Sequence, residues 1–287
     1  MAHDNHDNHH HEKNHPYHII ELSPYPILTS FSLLVLAIGA VLTMHEIHHA
    51  QRLLGLGFAA VIACAFFWWR KVIREGAVEK EHTIEVQRGL RMGMALFICS
   101  EVMFFVAFFW SYFDSFFKAV WFQLQQFDFD NLAYFSDKTH VWPPEGIKTF
   151  DAWDLPFMNT LILLLSGTTV TWAHHALLHG DRRGLKQGLG LTVFLGVMFT
   201  ICQAYEYSHA AFSFDQNNYS SNFYMATGFH GFHVIVGTIF LAICWIRSLK
   251  GQLTPENHLG FEFAAWYWHF VDVVWLFLFV AVYWFGE

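Results

Sequence analysis

Residues 92–113 read MGMALFICSEVMFFVAFFWSYF. The run is long enough to cross a bilayer as a helix, which takes about 20 apolar residues. It contains a single formal charge, Glu101, and is flanked by Arg91 and Asp114. At about 1.5 Å per residue, Glu101 lies about 15 Å from Arg91, near the middle of a hydrocarbon layer about 30 Å thick. A carboxyl group at that depth is costly, so it marks a structural or functional site.

The rest of the chain has the same apolar character. Of its 287 residues, 54% are hydrophobic and only 14% are charged, whereas soluble domains carry about 25% charged residues. The apolar runs lack the period-two alternation of barrel strands, and a lipid environment demands that the backbone be satisfied internally. We therefore predict an all-α membrane protein with seven transmembrane helices, near 25–44, 53–70, 89–113, 156–178, 186–211, 223–247 and 261–284.

Lysine and arginine predict the orientation of these spans. Seven spans put the two termini on opposite sides of the membrane. With the N-terminus inside, the outer segments hold only four of the 16 Lys and Arg residues, namely Arg52, Lys118, Lys138 and Lys148. Because basic residues concentrate on the inner side, we expect the N-terminus inside and the C-terminus outside.

Two polar segments lie outside the predicted spans. Residues 1–18 form a tail with seven histidines and no apolar stretch of the kind found in signal peptides, so we expect a solvated tail. Residues 118–155 form the longest outer loop. The sequence has no basic patch with interleaved aromatic residues, so no nucleic-acid partner is predicted.

Twenty histidines first suggest a metal centre. His45, His48 and His49 fit the HxxHH box of membrane di-iron oxygenases, and His174, His175 and His179 form a second cluster, but the predicted topology puts the two on opposite faces. Glu206 and His209 form one E-x-x-H unit, whereas a di-iron bundle needs two such units and two further glutamates. We therefore predict no metal site and expect Glu206 and His209 to form an interfacial hydrogen-bonded pair.

The other intramembrane polar residues are better explained by helix packing. His230 and His233 are three residues apart on one helix face, and His269 and Asp272 have the same spacing and could form a pair. Two classes of protein remain, a helper subunit of a larger machine or an autonomous proton or solute channel that uses Glu101. The predicted buried polar residues are Glu206, His209, His230, His233, His269 and Asp272.

Five long motifs resemble subunit III of the aa3-type cytochrome c oxidases, in the order of that family. The resemblance covers residues 15–286, while the tail before His15 and the stretch 118–138 are outside the pattern. The motifs are HPYHIIELSPYP (15–26), GLRMGMALFICSEVMFFVAFFW (89–110), SGTTVTWAHHALLHGDR (166–182), TGFHGFHVIVGTIFL (227–241) and GFEFAAWYWHFVDVVWLFLFVAVYWFG (260–286).

The resemblance implies an architecture and a function. It implies a two-helix bundle over 19–80 and a five-helix bundle over 81–287, around a lipid-filled V-shaped cleft. It also implies a subunit without a catalytic centre, haem or copper of its own, in an oxidase that reduces O2 to water and pumps protons. The main partner would be subunit I, in a complex that includes subunit II, with haem a and copper in the partner subunits. The implied roles are to stabilise subunit I, to support proton uptake and turnover stability, and to aid O2 access through the lipids.

The same resemblance assigns residues and a location. Glu101 occupies the family's intramembrane glutamate position. Trp69, Arg74, Glu75 and His82 match a region that holds phospholipid head groups, and Arg247 and Lys250 a region that meets an anionic lipid. The expected lipids are phosphatidylglycerol, phosphatidylethanolamine or cardiolipin; positive-inside topology alone would also explain these basic residues. We expect the bacterial cytoplasmic membrane, with the mitochondrial inner membrane as the alternative, and membership of a respiratory supercomplex stays open.

Overall fold

The computed structural model describes residues 17–19, 22–79, 81–125, 142–144 and 146–286. Within that part of the chain, seven helices are long and apolar enough to cross a membrane, as the apolar runs predict. No strand occurs among the described residues, so the all-α fold class is confirmed. The helices are α1 (Tyr25–Met44), α2 (Ala50–Ala77), α3 (Ile84–Gln125), α4 (Leu155–Leu178), α5 (Arg182–Ser208), α6 (Asn218–Leu249) and α7 (Leu259–Leu278), and a π-helical segment (Phe279–Trp284) continues α7.

Helix α3 is longer than its apolar run. Its 42 residues correspond to about 63 Å, about twice the thickness of the hydrocarbon layer. The helix continues past Asp114 to Gln125. The Asp114 carboxylate pairs with Lys118 one turn later, at 2.6 Å, and such a pair is compatible with a helix that extends beyond the hydrocarbon. The segment predicted as an outer loop, 118–155, is therefore helical as far as Gln125. Residues 126–141 and 145 of it lie outside the described residues.

The chain divides into two compact units, one ending at Arg91 and the other beginning at Met92. The boundary between these units lies inside α3, and the division at residue 80 that the resemblance implies stays a prediction. In the first unit, α1 and α2 cross with their backbones in close approach at two glycines. A Cβ at Gly39 would lie 2.6 Å from the backbone N of Leu54, and one at Gly57 would lie 2.6 Å from that of Leu36. Small residues of this kind let helices pack closely in lipid.

The second unit has α7 at its centre. Trp268 and Trp275 of α7 are fully buried, and their indole N–H groups donate to the hydroxyls of Ser166 (2.8 Å) and Thr160 (2.9 Å) on α4. A Cβ at Gly237 of α6 would lie 2.9 Å from the Trp268 ring. Glycine therefore makes room for the large indoles, and hydroxyls on α4 satisfy their polar edges.

Within this unit, aromatic rings join α3 to α6 and α7. Phe104 meets Phe229 of α6 edge to face, with ring centroids 5.0 Å apart, and Phe105 lies 6.0 Å from Phe270 of α7. An edge-to-face pair such as Phe104 and Phe229 is attractive beyond the area that it buries. The polar contact between α3 and this part of the bundle is made by Glu101.

Candidate functional site

Glu101, in the middle of α3, is hydrogen-bonded to His233 of α6. The distance from Glu101 Oε2 to His233 Nε2 is 2.9 Å. The His233 side chain is 7% exposed and that of Glu101 is 22% exposed. Phe105 meets the imidazole edge to face at 5.0 Å, and Tyr267 of α7 stacks on it at 6.2 Å. The sequence places Glu101 and His233 in two different spans, and the fold brings them together within an aromatic enclosure.

The second nitrogen of His233 determines how many protons this pair holds. Its Nδ1 lies 2.7 Å from the carbonyl oxygen of Phe229, and a carbonyl can only accept, so Nδ1 carries a hydrogen. The hydrogen bond between Nε2 and the carboxyl group then requires one more proton, carried by either atom. Both arrangements, neutral acid with neutral imidazole or carboxylate with imidazolium, have no net charge. The pair thus avoids the cost of an isolated charge in the hydrocarbon.

His269 and Asp272 of α7 form a second carboxyl–imidazole pair. His269 Nδ1 lies 3.4 Å from Asp272 Oδ2, and His269 Nε2 lies 3.2 Å from Thr171 Oγ1 of α4. The Thr171 hydroxyl donates to the carbonyl of Gly167 at 2.9 Å, so it accepts the hydrogen of Nε2.

His269 and Asp272 differ in exposure. Asp272 is buried against Gly167, where a Cβ would collide with its Oδ2. The His269 side chain is 46% exposed, in contrast to the buried position predicted for it. The spacing of three residues places both side chains near one face, but α4 covers only Asp272, and His269 lies at the edge of the contact.

Glu206 of α5 is 2% exposed and faces the end of α7. Its Oε1 accepts hydrogen bonds from the Tyr283 hydroxyl at 2.6 Å and from the Gln203 amide at 3.2 Å. Its Oε2 and the Gln203 carbonyl oxygen are buried without a hydrogen-bond partner among the described residues. Glu206 therefore ties α5 to the π-helical segment.

The predicted side-chain pair between Glu206 and His209 is wrong. His209 is the C-cap of α5 and is exposed rather than buried. Its Nδ1 lies 2.9 Å from the carbonyl oxygen of Tyr205, and its ring lies 4.1 Å from the Tyr205 ring. Because the helix ends at His209, this side chain folds back over the last turn while Glu206 points into the bundle.

His230 is a packed core histidine, as its position on α6 predicts. It is 1% exposed, and its Nε2 donates to the carbonyl oxygen of Val271 at 3.1 Å. The rings of Trp275 and Phe199 lie 5.1 Å and 5.7 Å away. The hydrogen bond joins α6 to α7.

The predicted lipid-contacting residues at the end of α2 combine an exposed ring with ion pairs. The Trp69 side chain is 62% exposed. Arg74 Nε lies 3.0 Å from Glu79 Oε1, and Lys71 Nζ lies 3.6 Å from Glu75 Oε1. The cluster therefore presents an indole beside charges that are partly balanced within the chain.

His82 lies between α2 and α3 and packs against Gly76. A Cβ at Gly76 would lie 2.7 Å from His82 Nδ1, so the glycine makes room for the ring. Burial lowers the pKa of His82, and the neighbouring His18 lowers it further. The ring is therefore held in its neutral form, which suits a hydrogen-bonding contact better than a charged one.

Arg247 and Lys250 lie at the C-terminal end of α6, the second predicted lipid region. Arg247 is in the last turn and Lys250 is the C-cap. Basic residues at this position interact favourably with the helix dipole. The Arg247 guanidinium lies over Gly260, where a Cβ would be 3.1 Å from Nη1. The two charges thus have a role in the helix end, and lipid binding by them stays a prediction.

The histidine clusters do not assemble a metal centre in the described part of the chain. Among those residues, no group of three or more His, Cys, Asp and Glu side chains is arranged to hold a metal ion. The rings of His48 and His49 are tilted against each other with centroids 3.8 Å apart, and His175 stacks on His179 at 5.1 Å.

Comparisons with known proteins cover nearly the whole chain. A family model described as "Cytochrome c oxidase subunit III" matches residues 15–287. The chain belongs to the cytochrome c oxidase subunit III family. It is 54% identical over 277 residues to the "Probable cytochrome c oxidase subunit 3" of Rickettsia bellii, covering 96% of this chain and 97% of the relative. It is 50% identical over 274 residues to the "Cytochrome c oxidase subunit 3" of Arabidopsis thaliana, covering 96% and 98%.

Membership of this family establishes the function at a coarse level. The chain is a core subunit of cytochrome c oxidase, an integral membrane protein in a complex with other oxidase subunits. The subunit itself is not catalytic.

Sequence reasoning identified the polar residues but missed most of their partners. Glu101 and His233 are 132 residues apart, and Glu206 and Tyr283 are 77 residues apart. One available signal was depth, since Glu101 and His233 each lie near the middle of their spans. Glu206 and Tyr283 each lie near the C-terminal end of their spans.

Proposed function

We propose that this subunit III packs against subunit I, in a complex that includes subunit II, and stabilises the catalytic subunit during turnover. The observation that carries the proposal is the pairing of its three intramembrane carboxyls. Glu101, Glu206 and Asp272 each have a hydrogen-bonding partner within this chain. Carboxyls that are paired within one chain in this way suit a rigid scaffold whose chemistry takes place in another subunit.

We further propose that the inner face of this chain binds phospholipid and supports proton uptake by the complex. Trp69, Arg74, Glu75 and His82 would contact one head group, and Arg247 and Lys250 an anionic lipid. Arginine can bind phosphate through two nitrogens, whereas lysine offers a point charge. The expected head groups are those of phosphatidylglycerol, cardiolipin or phosphatidylethanolamine, and Arg74 and Lys71 are already paired with Glu79 and Glu75. Lipids held here would aid O2 access to subunit I.

Purification of the complex through a tag on this chain tests the proposal. We expect subunits I and II in the mass-spectrometric subunit profile and the visible spectrum of haem a. We also expect enzyme lacking this chain to start at a comparable rate and to lose activity faster during turnover. Recovery of the chain without haem-bearing subunits would refute the proposal.

The alternative, an autonomous proton channel built on Glu101, has a separate test. Liposomes that contain only this chain should show no proton flux above that of empty liposomes, because Glu101 is held by His233. Flux abolished by Glu101→Gln would favour the channel. Inner-membrane fractionation in the source cell distinguishes the bacterial location that we favour from a mitochondrial one.

A further inference from the structure

The membrane-spanning faces of α4–α7 are not equally apolar. On α5 between residues 191 and 201, and on α6 between residues 232 and 246, every exposed side chain is aliphatic or aromatic. These side chains are Leu191, Phe194, Val197 and Ile201 on α5, and Phe232, Ile235, Ile239, Ile243 and Ile246 on α6. Such surfaces match the acyl chains of lipids.

Helices α4 and α7 expose polar side chains at the same depth. Thr168, Thr171 and His269 are exposed, and we call these three residues the polar face. His269 lies ten residues after the start of α7, which is about 15 Å and half the hydrocarbon thickness. Thr168 lies 13 residues after the start of α4, about 20 Å from it. Neither side chain can reach a head-group region from there.

The hydrogen bonds of the polar face show which kind of group it can still bind. His269 uses both ring nitrogens, on Asp272 and on Thr171. Thr168 donates its hydrogen to the carbonyl of Leu165 at 2.7 Å, which leaves the lone pairs of its oxygen as acceptors. The polar face can therefore still accept a hydrogen bond from a donor, such as a hydroxyl, an amide N–H or an indole N–H.

From this contrast we infer that a transmembrane helix of another oxidase subunit covers the polar face, and that lipid covers α5 and α6. Ionisable residues within membrane spans face protein or a water-filled cavity far more often than lipid. Threonine and histidine side chains also form hydrogen bonds between helices in membranes. The partner helix would place a hydrogen-bond donor near Thr168. The inference rests on the proposed packing against another subunit and adds the face through which it occurs.

Photo-cross-linking in the intact complex tests the inference. A benzoylphenylalanine at Thr168 or Val273 would lie on or beside the polar face, and the matched controls are Leu191 on α5 and Ile239 on α6. All four side chains are exposed, so each can accept the larger residue. We expect adducts with another oxidase subunit from Thr168 and Val273, and lipid adducts from the controls. The inference would be overturned if Thr168 and Val273 gave only lipid adducts or adducts between two copies of this chain. It would also be overturned if the controls gave as many adducts with another subunit.

A pair of tryptophan variants gives an independent measurement. Thr168→Trp places a bulky ring on the polar face, and Leu191→Trp makes the same change on α5. We expect Thr168→Trp to lower the haem-bearing subunits recovered with this chain by about tenfold, at an unchanged level of the chain in the membrane, and Leu191→Trp to leave recovery unchanged. Equal recovery in both variants would contradict the assignment of the face. If the unaltered chain recovered no haem-bearing subunit, the proposed function itself would fail.

Discussion

At the scale of single residues, Glu101 and His233 carry a mid-membrane contact whose stability depends on both partners. Glu101→Leu would leave His233 Nε2 buried without a partner, which costs about 1–3 kcal/mol. Glu101→Gln keeps a hydrogen bond, because the amide can donate to the neutral imidazole. We expect the order wild type, Gln, Leu in the thermal stability of the purified complex.

The double variant Glu101→Leu/His233→Leu is the control for that order. Removing both polar partners leaves no orphaned group, so it should recover most of the stability lost in Glu101→Leu. A loss in Glu101→Gln as large as that in Glu101→Leu would show that a titratable proton, not a hydrogen bond, is what this site needs.

His82 provides a pH-dependent contact at the C-terminal end of α2. Its pKa is lowered by burial in the folded chain, so the free ring takes up a proton more readily than the packed ring. The packing of His82 on Gly76 therefore weakens as pH falls below about 6.5, the ordinary pKa of histidine, and is fully present well above it. We expect amide hydrogen exchange between α2 and α3, corrected for intrinsic rates, to be faster at about pH 5.5 than at about pH 7.5.

The control for this second prediction is His82→Gln, which cannot titrate in that range. Its exchange should be independent of pH after the same correction. An equal pH response in the variant would assign the effect to another group.

At the scale of helices, the crossing of α1 and α2 depends on the position of glycine more than on its number. A Cβ at Gly57 would lie 2.6 Å from the backbone of Leu36, whereas one at Gly55 would meet no atom within 4 Å. Alanine favours a helix over glycine by up to about 1 kcal/mol, but overpacking costs about 1–3 kcal/mol. We expect Gly57→Ala to lower the thermal stability of the complex and Gly55→Ala to leave it unchanged or raise it. Similar effects of the two changes would show that the close approach does not hold the helices together.

Hydropathy predicts the existence of these helices better than their ends or their partners. The spans follow from apolar runs, because only a helix satisfies its own backbone in lipid. The end of α3 cannot be predicted from its apolar run, since polarity marks where a chain leaves the hydrocarbon and not where its helix stops. The burial of Asp272 and exposure of His269 depend on the rotation of α7 against α4. That rotation is set by packing around Trp268 and Trp275. It cannot be predicted from the spacing of three residues between His269 and Asp272.

At the scale of the whole molecule, the distribution of basic residues still predicts the orientation in the membrane. The helix ends that carry Arg182, Arg183, Lys186, Arg247 and Lys250 would face inside, while Lys118, near the C-terminal end of α3, would lie outside. Alkaline phosphatase is active only outside the cytoplasm, so a fusion after the last residue should be active and one after Gly251 inactive. A green fluorescent protein at the same two positions should give the opposite pattern. An active phosphatase after Gly251 would show that the predicted orientation is wrong. Assembly with the other subunits would then have overcome the positive-inside bias.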